Sequence, residues 1–169
     1  MTAREEHEEA FRELIGRTLH GVQYLGAWPI GPNEAGAYIE WVELAMDRSV
    51  TYRITTEPDF GDYGVVVMEG NVAPGSLLKI FDAGGVPPWT TAVGRQVVSV
   101  KVLWRPLSYE SAASAGEEPE FPREVALSFN DGTTVVLSAA AANEQGEWVL
   151  GVDNLSVLDE AQARGLGML

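Results

Sequence analysis

Apolar and polar residues alternate most clearly over residues 124–139, on both sides of an Asn-Asp-Gly turn at 130–132. Alternation with a period of two indicates strands that bury one face and expose the other. An Asp-Gly pair supplies the positive φ angles that a tight hairpin turn needs. This stretch therefore predicts a β-hairpin with strands Glu124–Phe129 and Thr133–Ala139.

The same alternation recurs along most of the chain and predicts further strands. They are Thr18–Leu25, Tyr38–Met46, Val50–Thr56, Gly64–Glu69, Gln96–Trp104, Trp148–Leu150 and Leu155–Leu158. A connector rich in Pro and Gly separates the fourth of these strands from the fifth and contains one short apolar run, Leu77–Phe81. The range Ser108–Glu120 is small, polar and acidic, which is typical of a loop.

A helical pattern over Thr2–Ile15 precedes the strands. Thr2 and Glu5 have the spacing of a capping box, in which each side chain accepts a hydrogen bond from the other residue's backbone N–H. Gly16 is a natural helix stop. One face of the predicted helix is largely apolar and carries Ala3, His7, Ala10, Phe11 and Leu14. At the other end of the chain, Asp159–Leu169 predicts a single helical turn.

The pattern of residues 15–25 recurs 78 positions later, at 93–103. Residues 42–47 then match 125–130 at a separation of 83, and this separation continues to Val65–Val67, which match Trp148–Leu150. A duplicated four-stranded unit explains the shared register, although two unrelated β-meanders with similar patterns would also do so. One unit alone cannot bury its apolar face, so two units are expected to pack together.

The predicted fold is therefore mainly β, on the border of α+β. Two tandem four-stranded antiparallel repeats form a pseudo-symmetric sandwich or a partly open barrel, with an N-terminal α-helix. The chain is interpreted as one domain, 1–169, with a helix (1–15), repeat one (16–72), a Pro/Gly connector (73–92), repeat two (93–158) and a C-terminal tail (159–169). Repeat one has Asp47-Arg48-Ser49 where repeat two has the Asn-Asp-Gly turn, so a looser turn is expected there.

Charge narrows the range of partners. The 169 residues include 25 acidic and 11 basic side chains, which leaves a net charge of −14. Binding to nucleic acid depends on Lys and Arg that neutralise phosphates, so nucleic acid and anionic membranes are both disfavoured as partners. A basic protein partner is favoured, although a merely solvated acidic surface would have the same composition. The oligomeric state is left open.

Compartment and cofactor chemistry are also constrained. The chain contains no Cys, which excludes disulfides, thiol nucleophiles and Cys-ligated metals. No signal-peptide pattern or membrane-length apolar run is present in the sequence, so a cytoplasmic location is expected. There are only two His, and a structural role for His20 is favoured over one as general base or ligand. No cofactor, metal site or catalytic residue is predicted.

Six residues are candidates for contact with a partner. An acidic cluster in the segment TEPDFGDYG is more typical of a solvated turn than of a Ca²⁺ site, and it offers carboxylates to a basic surface. Trp89 follows two prolines, and an aromatic side chain on a stiff loop is a typical interface anchor, although a loop that covers one end of the core is somewhat favoured over this interpretation. The six candidates are Asp59, Asp62, Trp89, Glu117, Glu118 and Glu120.

The hairpin pattern over 125–137, a following strand that contains Trp148, and the sequence Asp153-Asn154-Leu155-x-Val157 resemble small uncharacterised bacterial β-rich domains. Similar domains are found among the immunity proteins of polymorphic toxin systems. The resemblance covers about a third of the chain and assigns no functional residue. It implies an acidic, cytoplasmic, non-enzymatic protein.

Three functions are compatible with these patterns. The first is a non-catalytic protein-interaction domain, such as an immunity-type inhibitor, whose acidic surface binds a basic partner. The second is a small-molecule binder with a pocket in a barrel mouth or between the repeats, lined by Tyr24, His20, Trp41 and Trp104. The third is a hydrolase or isomerase that uses carboxylates, with Glu40 or Glu43 beside Asp62.

Overall fold

The computed structural model describes residues 1–27, 38–57, 64–70, 79–106, 120–142, 148–150 and 155–169. The protein is mainly β, as predicted, and most of its strands form two antiparallel sheets of five and four strands. The two sheets do not close into a barrel. No helix in these ranges is long and apolar enough to cross a membrane.

The first sheet contains five strands in the order β4-β3-β2-β1-β5. Their bounds are β1 (Leu19–Ala27), β2 (Tyr38–Met46), β3 (Thr51–Glu57), β4 (Gly64–Glu69) and β5 (Lys79–Asp82). The first four strands form a meander in chain order. The fifth comes from the connector and pairs with the free side of β1.

The second sheet contains four strands in the order β11-β8-β7-β6. Its strands are β6 (Val97–Pro106), β7 (Glu120–Phe129), β8 (Thr134–Ser138) and β11 (Ser156–Asp159). Between β8 and β11, a separate two-stranded sheet joins β9 (Ala140–Ala142) to β10 (Trp148–Leu150). Three short α-helices and one 3-10 helix complete the described part of the chain: α1 (Ala3–Arg12), α2 (Trp89–Ala92), α3 (Glu160–Gly165) and the 3-10 helix Asp47–Ser49.

The two halves match in detail. Both first strands are irregular at equivalent places, between Leu19 and Gly21 in β1 and between Val97 and Ser99 in β6. The backbone hydrogen bonds where the halves meet are reciprocal. Gly16 N–H donates to the carbonyl of Val97 at 2.8 Å, and Gly94 N–H donates to the carbonyl of Leu19 at 2.7 Å. These pairs are related by the separation of 78 residues found in the sequence, as expected for a pseudo-twofold arrangement.

The middle strands keep the predicted separation of 83, but the fourth strand does not. Leu44 pairs with Tyr52 in repeat one, and Leu127 pairs with Val135 in repeat two. The strand beside β8 is β11, however, so Val157 takes the place of Val67. The predicted match of Val65–Val67 with Trp148–Leu150 is therefore wrong, because the hairpin of β9 and β10 is inserted before the fourth strand.

The prediction of a looser turn at residues 47–49 of repeat one is also wrong. Met46 N–H donates to the carbonyl of Val50 at 2.8 Å, and in repeat two Phe129 N–H donates to that of Thr133 at the same distance. Ser49, at φ +60°, adopts the left-handed conformation that Gly132 adopts at φ +88°. The turn therefore has the same backbone hydrogen bond in both repeats. Its left-handed φ is strained at Ser49, which has a Cβ, and unstrained at glycine.

The core lies between the two sheets, where the apolar face of each strand is buried. Phe11 at the end of α1 and Trp89 at the start of α2 are 78 residues apart, and both are fully buried in this core. Each repeat is thus preceded by a short helix that contributes one aromatic side chain to the interior.

Helix α1 forms as its sequence predicts, with both hydrogen bonds of the Thr2–Glu5 capping box present. It packs beside β6, where Trp104 Nε1 donates to Glu8 Oε1 at 2.9 Å. The His7 ring lies 5.5 Å from the Trp104 ring, and a hydrogen bond joins His7 to the backbone carbonyl of Val65 in β4. The helix thereby covers an edge strand and connects the two sheets.

The outer face of the second sheet is covered by α3 and the residues that follow it. Ala163 and Met168 pack on Ala126 and Val136. The fully buried carboxylate of Glu124 forms ion pairs with Arg105 and Arg123. Arg105 also donates to the backbone carbonyl of Met168 at 2.9 Å, which fixes the C-terminal segment to the sheet.

The Gly132→Ala variant tests the strain in the hairpin turn. A Cβ at Gly132 or at Gly85 would meet nothing within 4 Å, but only Gly132 has a positive φ. We expect Gly132→Ala to lower the free energy of unfolding by about 1 kcal/mol. Gly85→Ala should leave it unchanged or raise it slightly. Urea unfolding measures both, and equal effects of the two substitutions would contradict the assignment of left-handed strain.

Histidine 7 should make stability depend on pH. Burial lowers the pKa of His7, and the hydrogen bond to Val65 and the nearby Glu8 only partly oppose this effect. As the pH is lowered, the unfolded chain therefore binds a proton at residue 7 before the folded protein does. The free energy of unfolding falls as the pH drops through the ordinary histidine pKa of about 6.5. We expect the loss between neutral and acidic pH to be smaller in His7→Gln, measured by urea unfolding at each pH. The exposed His20→Gln is the matched control, and an identical pH dependence in wild type and His7→Gln would contradict the prediction.

Candidate functional site

A row of side chains in register crosses all five strands on the outer face of the first sheet, polar on β5, β1, β2 and β3 and ending in Met68 on β4. Register places Gln23 opposite both Glu43 and Asp82, and Glu43 opposite Arg53, which in turn lies opposite Met68. Glu43 and Asp82 are two strands apart, so their Cα atoms are separated by about 10 Å. Two carboxylates thus flank one amide on the same face. We call this surface the open face, defined by Gln23, Glu43, Arg53, Met68 and Asp82.

Beside this row the face is hollow. Gly21, Ala45 and Thr51 lie in register on neighbouring strands, and their small side chains leave a cavity of about 430 Å³. Gln23, Glu43 and Asp82 line the same cavity. A glycine and an alanine at these positions remove the bulk that would otherwise fill the depression, so the polar side chains border open space.

On the other side of the polar row the face is apolar. Leu25 is opposite Trp41 on β2 and opposite Ile80 on β5. In this apolar strip Leu25 is buried, whereas Ile80 on the edge strand is 65% exposed. The Arg53 guanidinium lies 4.5 Å from the centre of the Trp41 ring, which is a cation–π contact. The outer face therefore combines an apolar strip whose exposed member is Ile80, an acidic strip and a hollow.

Two carboxylates border the cavity on this face. The two carboxylates bordering the cavity, Glu43 and Asp82, accept hydrogen bonds from an ammonium or guanidinium group. Asp82 already accepts one from the backbone N–H of Gly84 at 3.0 Å, which orients its carboxylate. The basic side chain on the face, Arg53, is stacked on Trp41 at the side of the row away from the cavity. The cavity itself thus has an acidic border.

The predicted anchor, Trp89, is not at the surface. It is fully buried, and its indole N–H donates to the Tyr24 hydroxyl at 2.6 Å inside the core. Burial raises the pKa of Tyr24, so the hydroxyl stays protonated. The interpretation of Trp89 as a partner contact is therefore wrong, and the alternative of a loop that covers one end of the core is the one observed. Phe11 and Trp89 precede the first strands of their repeats by the same number of residues. This equivalence would have indicated that Trp89 is a core residue, as Phe11 is.

Of the remaining predicted contacts, only Glu120 is described. It is exposed, but it begins strand β7 instead of ending a loop, and it forms an ion pair with Arg4 at 3.1 Å. Asp59, Asp62, Glu117 and Glu118 lie outside the described residues. Of the two predicted contacts that the structure describes, Trp89 is buried and Glu120 is exposed, so these two do not share a surface.

The side chains proposed to line an internal pocket do not converge. Tyr24 is in the core, His20 is exposed, Trp41 is on the open face and Trp104 packs against α1. The cavity of about 430 Å³ lies on the outer face of the sheet instead of between the repeats. Sequence patterns missed Asp82 and Gln23 because neither lies in a motif, and only strand pairing brings them to Glu43.

Within the described ranges, no group of three or more His, Asp or Glu side chains is arranged to hold a metal ion. Glu43 borders the cavity, whereas its proposed catalytic companion Asp62 lies outside the described residues. No protein-family model, curated protein or solved structure matches the chain. The open face is therefore interpreted from its own geometry.

A double-variant cycle tests whether Trp89 is a core residue. Trp89→Phe removes the indole donor and Tyr24→Phe removes its acceptor, and each should lower the free energy of unfolding by about 1–3 kcal/mol because a polar partner stays buried. The double variant should lose less unfolding free energy than the two single variants lose together, because it leaves neither the indole N–H nor the hydroxyl unpaired. Urea unfolding of the four proteins measures the coupling. Strictly additive losses would show that the hydrogen bond contributes nothing.

Proposed function

We propose that this chain is a non-catalytic, cytoplasmic protein-interaction domain that binds a basic protein through the open face, as an immunity-type inhibitor would. The single observation that carries the proposal is the acidic border of the cavity on the outer face of the first sheet, with the exposed Ile80 beside it. Charged side chains next to an exposed apolar side chain form a mixed surface of the kind found at protein-binding sites.

Charge supports a basic partner. The net charge of −14 attracts basic proteins over long range and accelerates their association. It also opposes docking between two copies of this chain, since both would present carboxylates. At physiological ionic strength the screening length is about 8 Å, so the attraction acts mainly near contact. Glu43 and Asp82 lie where a cationic side chain would enter the cavity.

The apolar strip supplies the part of the affinity that does not depend on charge. Ile80 is 65% exposed and Met68 is 37% exposed, and they lie at opposite edges of the same face. Covering apolar area releases about 25 cal/mol per Å². A partner that covers both edges would thus span the whole width of the sheet.

A small-molecule ligand is the second candidate function, because the cavity volume of about 430 Å³ is in the range of small-molecule sites. Its border of Glu43 and Asp82 would select an organic cation. The two candidates differ in what they need: a small cation requires the hollow alone, whereas a protein also requires the apolar strip with Ile80.

Neutralising the carboxylates tests the proposed function. Glu43→Gln with Asp82→Asn keeps the shape of both side chains and removes two charges from the open face. We expect wild type, immobilised and exposed to native host lysate, to retain a basic protein that high salt releases. The double variant should retain about tenfold less.

The matched control is Glu6→Gln, an exposed carboxylate on α1 away from the open face. It should retain as much of the basic protein as wild type does. Ile80→Ser should also weaken retention of the basic protein, because the protein would cover this exposed side chain. Equal retention by wild type and the double variant would contradict the proposal.

A further inference from the structure

The second sheet contains an internal counterpart of the open face. Glu43 pairs with Arg53 across β2 and β3, and at the same register in repeat two Ala126 pairs with Val136 across β7 and β8. Both pairs point to the outer face of their sheet. The two surfaces are therefore equivalent in backbone geometry and differ in side chains and in what covers them.

The counterpart is covered by a helix. α3 begins with a capping box between Asp159 and Gln162. Ala163 of the helix and Met168, which follows it, bury Ala126 and Val136. The helix itself packs on β8 and β11. An outer face of this fold thus accepts a short helix as its cover.

The open face has the space for a similar cover. Gly21, Ala45 and Thr51 form a hollow in the part of the sheet bordered by Glu43. An extended segment would instead add to a strand edge, where backbone groups are available, because a sheet face offers only side chains. Side chains on one face of a helix fit a hollow between rows of a sheet.

The residues that differ between the open face and its counterpart specify which side chains a docking helix must carry. Where the counterpart has Ala126, the open face has Glu43, and Asp82 adds a second carboxylate on β5. A helix that docks here must therefore place Lys or Arg over the cavity and apolar side chains over the strip with Ile80. The α3 of a second copy carries one acidic and one basic side chain, Glu160 and Arg164, which pair with each other, so it offers no excess of positive charge.

From these observations we infer that the open face binds a short, basic, amphipathic helix of the partner protein, in the manner in which α3 covers the counterpart face. The inference rests on the proposed function and adds the secondary structure and the charge pattern of the bound segment. Lysine or arginine side chains of this helix enter the cavity between Glu43 and Asp82, and its apolar residues cover Ile80, which lies on the same strand as Asp82.

A pair of synthetic peptides tests the inference on the full chain. The first keeps the capping box of Asp159 and Gln162 and the apolar spacing of residues 159–169, but has lysine at the positions of Glu160, Ala161 and Gly165 and alanine at that of Gly167. The second is identical except for proline at the position of Ala163, which prevents the helix without changing the charge. Amide chemical shifts in NMR spectra locate the binding site of each.

We expect the first peptide to shift the amides of Gly21, Ala45 and Thr51 and to bind about tenfold more tightly than the proline peptide. Glu43→Gln with Asp82→Asn should weaken it by about tenfold, whereas Glu6→Gln should not. Equal binding of both peptides at the open face would overturn the inference and leave the proposed function intact. Shifts confined to Ala126 and Val136, or no binding, would also overturn it, whatever the retention experiment shows.

Discussion

Each sheet of this protein has one apolar face that only the other sheet can cover, and the rest of the structure depends on this mutual burial. A four-stranded meander with an uncovered face is not stable in water, because its exposed apolar area outweighs the hydrogen bonds between its strands. The two halves meet at a junction of reciprocal hydrogen bonds, including the isolated bridge between Thr18 and Gln96. This junction fixes the relative position of the two inner faces, and the helices that precede the repeats add Phe11 and Trp89 to the same core.

The outer faces are under no such constraint, and they differ. In the second sheet, Ala126 and Val136 are apolar and α3 covers them. In the first sheet the equivalent positions are Glu43 and Arg53, and the surface is polar, hollow and acidic at the cavity. A pseudo-symmetric fold thus has one outer face that is part of its own stability and one that is available for recognition. The proposed function and the proposed helical partner both follow from this asymmetry.

Much of the fold could be predicted from period-two alternation, because strands with one buried face leave that pattern in any sequence. The register of β2, β3, β7 and β8 was predictable for the same reason, since a shift of one residue would turn the apolar side chains outward. The fourth strand was not. Trp148–Leu150 has the composition of a sheet strand, but it pairs with the three alanines of β9, which carry no strand pattern of their own. Trp89 was misread because its loop context indicated exposure, and only the Tyr24 hydroxyl in the core explains its position.

The sequence by itself determined the mainly β fold, the capped N-terminal helix, the repeated register and the acidic charge, because each is a local pattern or a sum over residues. Only the tertiary structure decided which outer face is covered and which side chains share the other. Gln23, Glu43 and Asp82 belong to three different strands, and they form one surface because strand pairing aligns them across the sheet. Pairing between distant segments is set by the packing of the whole core, so no local pattern encodes it.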